Sequence, residues 1–123
     1  MLLQKFEIRP LGDSVIYINV LGGSEIDVED IEAMHESIMQ LSKGEEYRLL
    51  VNATEPFSMS AEARATIAGN RFATNRVAIA FVTRAMANIL LGNFFIKINK
   101  PITPTKLFAS EDAAFKWLQE QRL

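Results

Sequence analysis

The chain of 123 residues holds one histidine, His35, and no cysteine. Thiol nucleophiles, disulfides and zinc–cysteine sites are therefore excluded. A serine nucleophile would need His35 as its base, and no Gly-x-Ser-x-Gly elbow exists to present the serine. His35 falls beside the apolar stripe of a helix and is read as a boundary residue, not as a catalytic base. Glu25, Asp27, Glu29, Asp30 and Glu32 cluster without the spacing of a calcium loop, and a solvated helix face accounts for them. Gly12 and Gly22-Gly23 are turn glycines, and neither phosphate-cradling pattern is present. No catalytic residue, metal site or cofactor is assigned, and the chain is read as not an enzyme.

Two other places hold residues with something to do. Ser58 and Ser60 follow Pro56, where a helix must begin, and either hydroxyl can accept from the first turn's free N–H groups. The segment Met86 to Pro101 carries Met86, Ile89, Leu90, Leu91, Phe94, Phe95, Ile96 and Ile98, more apolar surface than one stripe needs to cover a sheet face. Arg84 precedes it, and Lys97 and Lys100 stand at its end. The surplus must be buried against a partner subunit, a lipid chain in a pocket, or a membrane surface with the lysines near phosphate head groups. Alternatively, Phe94 to Ile98 leaves the helix and fills the core.

Charge divides along the chain. Residues 1–62 carry 12 acidic and 4 basic side chains, a net of −8, whereas residues 63–110 carry 7 basic side chains and no acid. The overall charge of −2 argues against the basic footprint of a nucleic-acid binder. Either the second half forms an electropositive face for an anionic ligand or acidic partner, or the halves neutralise each other on folding or across a dimer; the second is expected, because halves of a small chain rarely map to separate faces. The N-terminus lacks the pattern of a signal peptide, and Ala85 to Ile98 is too short and too interrupted to span a bilayer. A cytoplasmic protein without an integral membrane segment is expected.

The elements that position these residues follow from periodicity. Phe6 and Ile8 alternate with charged neighbours as in a half-buried strand, and Val15 to Leu21 suits a strand covered on both faces. Pro10 to Asp13 reads as the turn between them. Asp27 caps a helix whose stripe is Val28, Ile31, Met34, Ile38 and Leu41. Tyr47 to Ala53 is a central strand; a helix from Ala61 to Gly69 follows. Val77 to Val82 is a buried strand, then comes the apolar helix through Gly92, closed by Lys100-Pro101. Thr105 to Ala109 is a short strand and Ser110 caps the last helix. The order β-β-α-β-α-β-α-β-α implies one α/β domain over residues 1–123, with a mostly parallel mixed sheet and an N-terminal hairpin.

This order, with Tyr47-Arg48-Leu49-Leu50-Val51-Asn52-Ala53, the segment Ile89 to Pro101 and the ending Leu107 to Leu118, resembles STAS domains. More specifically it resembles the SpoIIAA-like small bacterial proteins, which are grouped with CRAL-TRIO-type lipid carriers. The resemblance covers nearly the whole chain. It implies a regulatory binding domain of the anti-sigma-factor-antagonist kind, switched by phosphorylation of a serine at the start of the second helix. Ser58 or Ser60 is the counterpart here, in a loop, Ala53 to Ala61, that lacks the family's Asp and Gly.

Two functions follow as expectations. One is a non-enzymatic regulatory or protein-interaction domain, homodimeric, docking a protein partner through its second and third helices. The other is a carrier or sensor that holds a lipid-like or apolar anion under the third helix. Arg84, Phe94, Phe95, Lys97 and Lys100 are the candidate interaction or ligand face in both.

Overall fold

Strand β1 (Phe6–Gly12) buries Phe6 and Ile8 and exposes Glu7 and Arg9, the alternation of an edge strand. It pairs antiparallel with β2 (Val15–Val20), of which all but Asn19 is buried. The structure, a computed structural model, describes residues 3–122. The turn between these strands falls at Asp13-Ser14, both left-handed in φ, and not at Pro10 to Asp13 as expected. Pro10 is accommodated within β1 because an edge strand can spare an N–H, and the register shifts between Pro10 and Gly12.

From β2 the chain crosses over three times in parallel. Helix α1 (Val28–Ser42) leads to β4 (Tyr47–Asn52), α2 (Ala61–Ala68) to β6 (Arg76–Val82), and α3 (Met86–Phe94) to β7 (Thr105–Phe108). The main sheet has the order β1-β2-β4-β6-β7, so every crossover moves the chain the same way. Right-handed crossovers in one direction put their helices on one face. Ile8, Ile18, Leu49, Ile79 and Phe81 form the core under those helices. The last helix, α4 (Glu111–Glu120), returns alone to the other face, where Ala114 and Leu118 meet Tyr17, Leu50, Ala80 and Val82. The five-stranded mixed sheet with four helices is the expected architecture.

One feature has no counterpart in the sequence reading. Two-residue strands β3 (Glu25–Ile26) and β5 (Ser58–Met59) pair in parallel as a second, minor sheet. They bring the entrances of α1 and α2 side by side. Asp27 caps α1, with Asp30 completing a reciprocal capping box. Ser60 caps α2 by accepting from Ala63 N–H at 3.1 Å, and its hydroxyl donates to Asp27 Oδ1 at 2.8 Å.

Candidate functional site: the outer face of the third helix

Helix α3 runs straight into a π-helical turn, Phe95–Asn99, a rare geometry that is frequent at functional sites. Its mount is tight. Gly92 faces the sheet, where a Cβ would stand 2.8 Å from Leu107 and 3.0 Å from Phe81. Asn88 is fully buried. Its amide nitrogen donates to the Glu55 carbonyl at 2.9 Å and to Thr83 Oγ1 at 3.2 Å, and its oxygen accepts from Phe57 N–H at 3.3 Å. Those bonds fix the helix rotation about its axis. They make Asn88 a positioning residue that sequence reasoning passed over, although a lone asparagine inside an apolar helix signals a buried polar anchor.

With that rotation fixed, Met86, Leu90, Phe94 and Ile98 point outward, and Ile102 is exposed in the loop beyond the π turn, its N–H bonded to the Ala68 carbonyl. These five are the exposed large apolar residues among those described, at 68%, 63%, 45%, 62% and 63% of full exposure. The first four, one residue in every four, form a ridge along α3 and the π turn. Lys97 and Lys100 are exposed at one end of it and Arg84 at the other, its Nε bonded to the Ala109 carbonyl at 3.3 Å. From α2, the Arg64 guanidinium lies 5.0 Å from the Phe94 ring centre, in cation–π range.

Phe94 and Phe95 separate. Phe94 joins the ridge, whereas Phe95 is half-buried and lines an apolar pocket of about 110 Å³ between the sheet and the helices. Ile18, Leu49, Phe81, Leu91 and Ile96 also line it. Arg84, Lys97 and Lys100 do not line that pocket; its charged residue is Arg76. Arg76 is itself buried, donating from Nε to Thr103 Oγ1 at 2.9 Å and from Nη2 to the Ile67 carbonyl at 2.8 Å. Burial pushes its pKa down.

The remaining candidates lie elsewhere. Ser58 is exposed on β5 and Ser60 is half-buried beneath its two hydrogen bonds. His35 is half-buried and stacks on Phe72 at 4.4 Å between ring centres. Burial first, then the charges of Arg76 and Arg71, lower its pKa. Among the described residues, no three His, Asp or Glu side chains converge as metal ligands. An open crevice of about 360 Å³ lies at the carboxyl ends of β4 and β6, near Asn52, Thr83, Arg84 and Glu111. Open α/β sheets hold ligands where the strand order reverses, and this order does not reverse.

A family profile described as a domain of unknown function, DUF7793, matches residues 8–122. No curated protein matches the chain significantly. Among solved structures, the chain is similar to an uncharacterized DUF3478-family protein with a SpoIIAA-like fold from Shewanella loihica PV-4. The two share 15% identity over 92% of this chain and 91% of that one, with a TM-score of 0.62. The anti-sigma factor antagonist SpoIIAA in its unphosphorylated form is 14% identical, with a TM-score of 0.53 over 94% of this chain and 98% of its own. A protein of unknown function from Arthrobacter sp. FB24 is 26% identical over 93% and 99% of the two chains, with a TM-score of 0.33. The first two likenesses show a SpoIIAA-like, STAS-type fold, as the sequence resemblance implied.

Proposed function

Because the chain belongs to the DUF7793 family and has a SpoIIAA-like fold, we propose that it is a non-enzymatic regulatory domain that acts by docking, taken as one domain over residues 1–123. Its docking face is the outer side of α3 and the π turn. The observation that carries this reading is the ridge of four exposed apolar side chains along rigidly mounted α3 and its π turn. A contiguous apolar surface of that kind is a binding surface in a protein that stays dispersed. A protein partner or a second copy of the chain, giving a homodimer, would cover the same residues, and a cytoplasmic setting fits both. Of the two switch-loop serines, exposed Ser58 is the accessible one. A phosphate on Ser60 would be forced against the Asp27 carboxylate.

A photo-crosslinking residue placed at Leu90 tests the reading in living cells. Adducts at Leu90, and none at Gln119 on exposed α4 across the sheet, are expected. Equal labelling at the two positions would overturn it.

The carrier remains as a second reading, favoured by the apolar pocket of about 110 Å³. Apolar cavities of this order hold small apolar ligands. The cationic residues assigned to the anion's head lie outside that pocket, which places this reading second. Mass that copurifies in native but not denatured spectra would raise it.

A further inference from the structure

Resting on the docking reading, we propose that the occupant of the α3 face is an anionic lipid surface. The face is a ridge that runs from Met86 on α3 to Ile98 in the π turn. Its apolar residues are flanked by exposed Arg84, Lys97 and Lys100, with Arg64 over Phe94. Apolar side chains entering the acyl boundary while lysines reach the head groups is the arrangement of in-plane membrane helices.

Charge decides between this occupant and a second copy. Four-residue spacing is the ridge geometry of helix packing. A second chain laid antiparallel across Phe94 would set Leu90 against Ile98, a self-complementary match. The same pairing sets Lys97 of one copy against Leu91 of the other and Lys100 against Asn88, and residues 63–110 contain no carboxylate to receive them. A layer of anionic head groups supplies that missing charge. The fold keeps the acids of α1 away, though not exposed Glu55, whose carbonyl binds Asn88. Strand order follows chain order, so β1, β2 and α1 with its exposed Glu29, Glu32 and Glu36 occupy the opposite flank.

The test is co-sedimentation of the full chain with vesicles of phosphatidylcholine alone and of phosphatidylcholine mixed with phosphatidylglycerol, at low and high sodium chloride. Binding to the mixed vesicles only is expected, weakened at least tenfold by high salt. Lys97→Glu with Lys100→Glu, and separately Leu90→Gln with Ile98→Gln, should each lower binding tenfold or more with an unchanged melting temperature. The lysine pair keeps the test decisive if the apolar pair unfolds. No binding to mixed vesicles at low salt overturns the proposal. If the chain instead dimerises through Leu90 and Ile98, more tightly at high salt, or takes up an acidic amphipathic peptide there, the lipid assignment falls and the docking reading stands. A chain that remains monomeric and binds no vesicle, with no Leu90 adducts in cells, overturns both.

Discussion

Phe94 and Phe95 are neighbours of identical chemistry with opposite surroundings. Nothing in their order within the sequence distinguishes them; the rotation of α3, set by buried Asn88 and by Gly92 on Leu107 and Phe81, does. Phe94→Glu should therefore fold with an unchanged melting temperature, since its ring is 45% exposed. Phe95→Glu should destabilise the chain by about 2–3 kcal/mol, because it brings a carboxylate against an apolar pocket. Chemical denaturation of the two variants separates them, and equal losses would mean the helix is rotated differently. Gly92→Val should cost about 1–3 kcal/mol by overpacking against those two side chains, measured the same way. The sequence shows that this helix is too apolar for one face, but it does not show which side chains are left outside. That depends on contacts with residues far along the chain.

Elements were legible where local chemistry sets them. The capped start of α1, the strand Val77 to Val82 and the order of all the long elements follow from periodicity and caps. The minor sheet of β3 and β5 was not legible, since two-residue strands carry no period. Its role shows in the shared cap beneath it. Val28 N–H first, then the Ser60 hydroxyl, hold the Asp27 carboxyl below the usual carboxylate range. A carboxyl lowered on folding stabilises the fold fully above its unfolded pKa, about 3.9, and loses that contribution as pH falls through the lower folded value. Asp27→Asn keeps a capping oxygen but lacks this titration. The advantage of the wild-type chain over Asp27→Asn should shrink as pH falls below about 4 in acid-unfolding curves. A constant difference would show that the charge at Asp27 contributes nothing. The Ser60 link also explains how a change at the start of α2 would reach α1.

At the scale of the molecule, the division of charge along the sequence is kept only in part. A sheet ordered β1-β2-β4-β6-β7 lays β1, β2 and α1 toward one edge and β6 and β7 toward the other, whereas a doubly wound order would have interleaved them. The expected neutralisation occurs where the halves meet: Arg71 pairs with Glu32, and the charges of Arg71 and Arg76 reach His35. Arg84, Lys97 and Lys100 stay exposed beside the ridge. Composition supplied the charges; only the fold says which of them meet.

Met86 offers the most direct measurement of the central claim, that the α3 face is covered when the protein works. It is the most exposed residue of the ridge at 68%, while Met34, Met39 and Met59 are half-buried. Peroxide footprinting should oxidise Met86 faster than Met34, Met39 and Met59 in the purified chain, and at least several-fold more slowly in intact cells, with those three unchanged. Equal oxidation of Met86 in the two settings would leave the face bare in the cell and contradict the account.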